Sequence, residues 1–277
     1  MKNIWIIIKY TFREALAKKI MITFLILSAL TVVGFGLAFS LMGDAAGIAG
    51  INVSNQTTAQ SASETISAGV RFLEYGFVAT LFVIGLFLSI FSTAGLVPDL
   101  LKKGNIDLFL SKPISKFELL SGKFLGGLAI VFVNIVFLVG SIWLMVGLKF
   151  SFWETSFLLS IFSITFVFAT LYALMTLLAV LTKSPVLPTI ISFLIVIVLN
   201  PLLTMRTMLY DLTDSSVVKG IFETFYYLIP QANEIVTISQ DSILGKADIV
   251  YTPIYTTAAL LIVYLSLSFF FFKKKDF

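Results

Sequence analysis

Six stretches of this chain run for 22 residues or more without a single Asp, Glu, Lys or Arg: 20–43, 75–98, 124–148, 155–182, 184–205 and 249–272. About 20 predominantly apolar residues are enough for a helix to cross a bilayer. Strands of a membrane barrel alternate apolar and polar residues over about 10 positions. Runs such as FLIVIVL (193–199) and LSLSFFFF (265–272) do not alternate. The fold class predicted is therefore an all-α integral membrane protein, a single domain over 1–277 with six transmembrane helices. Composition agrees, since 58% of the 277 residues are hydrophobic and only 12% charged, against about 25% charged in a soluble domain.

With six crossings both termini lie on one side, and the basic residues say which. Loops on the side of the termini hold 14 of the 19 Lys and Arg but only five of the 15 acids, a net +9; the other side carries −5. By the positive-inside rule the termini are expected in the cytoplasm. The first apolar run is too long for a cleaved signal and follows about 19 residues with several charges, so an uncleaved signal anchor is expected.

Residues 2–19, KNIWIIIKYTFREALAKK, form a weakly amphipathic segment. At 100° per residue Ile4, Trp5, Ile8, Phe12, Ala15 and Leu16 share one face and Lys2, Lys9 and Arg13 another. An N-terminal interfacial helix lying in the headgroup layer is predicted. Residues 44–70 are small and polar and are expected to be a mobile outer loop. The glycosylation patterns at Asn52 and Asn55 carry no weight in so polar a stretch. Residues 206–248 mix acids with apolar runs and are expected to form short helices on the outer surface.

With no His and no Cys, a thiolate nucleophile, a disulfide, a Cys/His metal site and a Ser-His-Asp triad are all excluded. No acid or base lies well inside a span. Arg71 and Glu74, one turn apart, are expected to pair at the outer end of the second span. Asn134 and Asn200 are the main strongly polar groups at depth, open to either interhelical hydrogen bonding or cargo contact. There is no G-x-x-x-x-G-K-[ST] pattern, so the chain does not cradle ATP in that way. A membrane protein that moves cargo uphill without an internal relay or ATPase needs a partner, which must grip a cytoplasmic surface.

Asp99 to Lys123 is the only internal cytoplasmic loop long enough. Gly104-Asn105 breaks the second span, and Pro113 turns Lys112 away from helical dihedrals. Ser115-Lys-Phe-Glu118 matches a capping box that starts a new helix near Lys116. Gly122-x-x-x-Gly126 permits a close helix crossing. Between them Leu108, Phe109, Leu110, Ile114 and Phe117 are apolar knobs rimmed by Lys102, Lys103, Lys112 and Lys116. That pattern suits a docking surface and equally a solvated loop whose lysines set topology.

The run GLVPDLLKKGNIDLFLSKPISKFELLSGKFLGG resembles the loop between the second and third spans of ABC-2 type permeases, most of all the NosY-like group. The matching positions are Asp99, Gly104, Leu108, Leu110, Pro113, Ser115-Lys116 and Gly122-Lys123. The opening YTFREALAKKI and the six-span plan are also similar to that family, whereas Lys102-Lys103 stand where relatives often carry acids. The resemblance implies an ABC-2 type permease fold and a non-catalytic subunit of an ATP-binding cassette transporter, mostly exporters, in a prokaryotic plasma membrane. It implies coupling to a separate cytoplasmic ATPase through Asp99, Gly104, Asp107, Leu108, Phe109, Leu110, Lys112, Pro113, Ile114, Ser115, Lys116, Phe117 and Glu118, with Gly122 and Gly126 packing helices. ATP and magnesium are then bound by that partner and no cofactor by this chain. A second permease chain, identical or not, and membrane lipids complete the partners, and no nucleic acid is expected. The resemblance likewise implies outward-facing or re-entrant helices over 206–248. The alternative is a membrane scaffold or anchor subunit without transport; an intramembrane enzyme lacks the residues for chemistry.

Overall fold

The computed structural model describes residues 2–48, 59–102, 104–106, 114–211 and 215–275. Among them there is no strand. Helix α1 (Lys2–Ala17) turns at Lys19, which takes a left-handed φ of 58°, into α2 (Ile20–Ile48). Helix α3 (Ala59–Thr93) breaks at Ala94-Gly95 before the short α4 (Leu96–Leu100). Helix α5 covers Lys116–Phe150, and a 3-10 turn (Thr155–Leu158) leads into α6 (Leu159–Thr182). Then come α7 (Val186–Leu194), a widened π turn (Ile195–Leu199) and α8 (Asn200–Thr204). Helices α9 (Arg206–Asp211), α10 (Ser216–Leu228) and α11 (Ala232–Ile243) precede α12 (Thr252–Lys274). Among the described residues, six helical segments are long and apolar enough to cross a membrane.

Boundaries depart from the charge-free windows for physical reasons. The segment 44–70 is helical in α2 up to Ile48 and in α3 from Ala59; extending a formed helix through Ala, Ser, Gln and Glu costs little, whereas starting one is expensive. Residues 49–58, with both glycosylation patterns, lie outside the described residues. Helix α5 begins eight residues before its charge-free window because both arms of the capping box close: the Glu118 amide donates to Ser115 Oγ at 3.1 Å and the Ser115 amide to Glu118 Oε2 at 3.0 Å.

Helix α6 is the hub. Of its spanning window 72% is buried, against 17% for α2 and for α12, so α6 is enclosed by α3, α5, α7, α11 and α12 while α2 and α12 turn most of their apolar surface outward. The core runs along the bundle axis through Leu86, Ile90, Ile135, Ile142, Ile164 and Phe168. One end gathers α1, α4, the start of α5, the Lys183 turn and Lys273–Lys275, and is called the basic end below.

At the opposite end the short helices do not all lie on the surface. Val217, Ile221 and Phe225 of α10 are exposed, but α11 packs on α3, α6 and α8. Ile229, Gln231 and Ala232 at its entrance are buried. A helix N-terminus buried this way needs acceptors for its first amides. Ala232 N–H donates to Asn200 Oδ1 at 2.8 Å, Gln231 N–H to Thr257 Oγ1 at 3.3 Å, and Thr256 Oγ1 to Gln231 Oε1 at 2.8 Å. Asn200 also donates from Nδ2 to the Ile195 carbonyl at 3.1 Å, so it holds helices together. Asn134 instead bonds within its own helix, Nδ2 to the Ile130 carbonyl at 2.8 Å.

Candidate functional site

At the basic end α1 lies against the start of α5, and glycine makes the fit possible. A Cβ on Gly122 would stand 2.6 Å from Ile7 Cβ and 3.3 Å from the Ile4 carbonyl oxygen; one on Gly126 would stand 2.7 Å from Thr11 Cβ. The two glycines thus leave a groove that takes the Ile7, Thr11, Ala15 ridge of α1, all three buried, with the spacing of a four-residue ridge. The face that α1 buries on protein is a stripe beside the broad apolar face marked by the sequence. Ala15 sits in the contact and Ile4, Ile8 and Phe12 are half-buried at its edge, while Trp5 and Leu16 are exposed. Hydropathy alone marked the broad apolar face; the glycine groove selects the stripe beside it.

Polar side chains flanking that stripe form a chain of alternating charge. Lys123, only 2% exposed, pairs with Glu14; Glu14 pairs with Lys18 at 2.7 Å; Lys18 pairs with Asp99 at 2.7 Å; Asp99 pairs with Lys102 at 2.6 Å. Burial would raise the Glu14 carboxyl, but the ammonium groups of Lys123 and Lys18 outweigh it and hold it below its ordinary range. Burial would likewise lower Lys18, yet Asp99 and Glu14 outweigh it and hold the ammonium above its ordinary value. Opposite charges within hydrogen-bond reach stabilise each other's ionised form. At the other end of α1, Asn3 Nδ2 donates to Glu118 Oε1 and Oε2 at 3.2 and 3.3 Å.

The α1 segment is therefore bonded to both ends of the segment 99–118: Lys18, just past its last turn, to Asp99, and Asn3 to both carboxylate oxygens of Glu118. Near the first end, Asn105 Nδ2 donates to the Asp99 carbonyl at 2.9 Å, and Gly104 takes φ 92°, which a side chain would resist. Ile106 is buried. Near the second end Ile114 packs on the core, Ser115 caps α5, and Lys116 Nζ donates to the carbonyls of Lys273 and Lys275 at 3.3 and 2.8 Å. Phe117 stays 59% exposed, with its ring 4.7 Å from that of Phe269. Lys103, Asp107, Leu108, Phe109, Leu110, Lys112 and Pro113 lie outside the described residues.

The other end holds a second polar cluster and one correction. Arg71 does not pair with Glu74. Its Nε meets Glu154 Oε2 at 3.0 Å, tying α3 to the 3-10 turn, because Glu154 is held at the head of that turn while Glu74 points inward. Glu74 is 1% exposed, and neither carboxylate oxygen has a hydrogen-bond partner. Arg206 pairs with Glu234 at 3.1 Å and lies 3.5 Å above the Tyr226 ring; the Tyr226 hydroxyl also donates to Glu234. This cluster locks α9, α10 and α11 together. Sequence reading missed it because its members are 8 and 28 residues apart. Among the described residues no three His, Cys, Asp or Glu side chains come together as metal ligands.

What the arrangement offers is mechanical: a surface helix and a spanning helix joined at several points, with both ends of the segment between 99 and 118, on one end of a bundle of six membrane-length helices. No curated protein matches the chain. The family model described as ABC-2 family transporter protein matches residues 5–277, and with six membrane-length helices over the same range, the chain belongs to the ABC-2 transporter family.

Proposed function

We propose that the chain is the transmembrane permease subunit of an ATP-binding cassette exporter, of the NosY-like group, in a prokaryotic plasma membrane. Its basic end faces the cytoplasm, where a separate ATPase subunit binds ATP and magnesium and docks on the segment 99–118. The observation that carries this reading is that α1 is bonded to both ends of that segment, through Lys18–Asp99 and Asn3–Glu118. A loop that only set topology would have no use for such bracing. Leu108, Phe109 and Leu110 supply the apolar centre of the docking surface and Lys102, Lys112 and Lys116 its rim, with Gly104 and Pro113 setting its turns.

A second permease chain completes the pathway. Along α2, Ile22, Ile26, Leu30, Val33 and Leu37 form an exposed stripe at helical spacing. Such a stripe meets either lipid or the matching helix of a second copy. The energy for transport comes from the ATPase, since the spans supply neither a relay nor a nucleotide site.

The test is purification from the native membrane in mild detergent, with and without Phe109→Asp. An ATP-hydrolysing subunit is expected to accompany the unsubstituted chain and to be lost from the variant, while insertion is unchanged. Co-purification with a non-ATPase complex alone would make the chain a scaffold and overturn the proposal.

A further inference from the structure

A groove of about 710 Å³ opens at the basic end between the first turn of α5 and the last turns of α12. Its apolar wall is aromatic. The Phe117 and Phe269 rings lie 4.7 Å apart, and Phe270 is 51% exposed. Its mouth is cationic, lined by Lys116 and Lys273 with Ser115 beside them, and Ser266 lines it about two turns deeper along α12. Exposed Lys274 adds a further ammonium, Nζ lying 4.3 Å from the Phe270 ring centroid. We infer that this groove is a binding site for one anionic diacyl phospholipid of the leaflet at the basic end.

Three features favour that occupant. The first is depth: the charge-free window of α12 ends at Phe272 and three lysines follow, so the groove straddles the boundary between hydrocarbon and headgroups. An acyl chain fits the phenylalanine wall and a phosphate the lysine mouth without either leaving its own layer. The second is charge. No acid lines the groove among the described residues. Glu118, the acid in the first turn of α5, is bonded to Asn3 and to Ser115, and Asp276 is the one acid in the last five residues of the chain. The third is that the negative end of α12 is already answered. Lys116 donates to two of its terminal carbonyls, which offsets the partial negative charge that a helix C-terminus would present to a phosphate. A zwitterionic lipid brings its own cation to a mouth already rich in them, so the site selects net negative headgroups.

The lipid would bridge the exit of the segment 99–118 to the C-terminal end of α12. This inference needs only the membrane placement of the two helices and does not rest on ATPase docking.

The test uses the full chain in phosphatidylcholine nanodiscs titrated with phosphatidylglycerol, with retained lipid counted by native mass spectrometry. The unsubstituted chain is expected to retain phosphatidylglycerol in preference to phosphatidylcholine. Each basic residue near an anionic surface contributes about a fivefold factor, so the double variant Lys273→Gln/Lys274→Gln should bind roughly 25-fold more weakly. Ser266→Trp, which fills the groove and keeps every charge, should also abolish retention. Lys149→Gln/Lys246→Gln, the same charge loss at the other end, should not. Equal retention of the two lipids by the unsubstituted chain, or undiminished retention by a folded Ser266→Trp variant, overturns the site. The latter result would place the lipid elsewhere.

Discussion

Glu14 and Lys123 are partners, but they are not equally dependent on each other, and the difference is measurable. Lys123 is 2% exposed and among the described residues its ion pair is with Glu14 alone; Glu14 is 14% exposed and keeps Lys18 at 2.7 Å when Lys123 is removed. Removing one partner of a buried pair costs about 3–5 kcal/mol, mostly through the uncompensated charge left behind. Glu14→Ala strands the lysine and is expected near the lower limit, about 3 kcal/mol, because water can follow the shortened side chain. Lys123→Met leaves Glu14 in what is then a partly exposed pair, which makes the loss about 1 kcal/mol. The double variant removes both charges and should recover most of the difference. The assay is amide hydrogen exchange over α1 in mild detergent, which reads local opening directly. Exchange should accelerate about a hundredfold in Glu14→Ala and about fivefold in Lys123→Met, at 1.4 kcal/mol for each factor of ten. Equal effects in the two single variants, or a larger one in Lys123→Met, would refute the ion chain as the tie that holds α1.

Gly122→Ala places a methyl group 2.6 Å from Ile7 Cβ, so α1 must back away; a loss of about 1–3 kcal/mol in α1 protection is expected. The ion chain should be insensitive to pH over a wide window. The Glu14 contribution is complete above its ordinary value of 4.5 and lost only as pH falls through a lower one; the Lys18 contribution is complete below its ordinary 10.5 and lost only as pH rises through a higher one. Intrinsic-rate-corrected exchange of α1 should therefore be flat from pH 4.5 up to neutrality, and a midpoint inside that range would contradict the pairing. Asn200→Ala removes the Oδ1 acceptor of the buried Ala232 amide and leaves it the Pro230 carbonyl at 2.9 Å, which should cost about 1 kcal/mol and be read as faster exchange confined to α11.

The spans were legible because membrane length and the absence of charge are properties of contiguous sequence. So was the start of α5, since a capping box is a four-residue pattern. What sequence could not supply were the contacts that choose a rotation or a depth. The ridge of α1 that is buried depends on glycines 115 positions away on another helix. Lys18 and Asp99 are 81 residues apart and look in sequence like a topology signal and a span terminus. Arg71 and Glu74 looked like partners because helical spacing brings them close, but Glu154 competes from 83 residues away and takes the guanidinium. The insertion of α11 was hidden for the same reason. Its amphipathic pattern fits a surface helix, and the distant acceptors on Asn200 and Thr257 help make burial of its first turn possible.

Joined to the rest of the fold, the basic end has a direct mechanical route to the other side. Helix α5 is 35 residues of unbroken helix, about 50 Å at 1.5 Å per residue, longer than the hydrocarbon core of a bilayer. Its first turns are tied to α1, α4 and α12. At its far end the Trp153 ring packs over Gly147, Trp143 Nε1 donates to the Glu154 carbonyl at 3.0 Å, and the Glu154 carboxylate grips Arg71 on α3. Helices are stiff along their axes, and packed interfaces shift between discrete arrangements more readily than they deform. A push delivered on the segment 99–118 would thus tilt α1 and the start of α5 as one body. It would reach α3 at the opposite surface through Glu154–Arg71, with no need for a relay of charge inside the membrane. In the proposed transporter that makes this ion pair one of the links to the outer end, beside the direct packing of α3 on α5. Arg71→Gln should leave docking and ATP hydrolysis by the partner intact while transport falls; unimpaired transport would show that the motion travels by another helix.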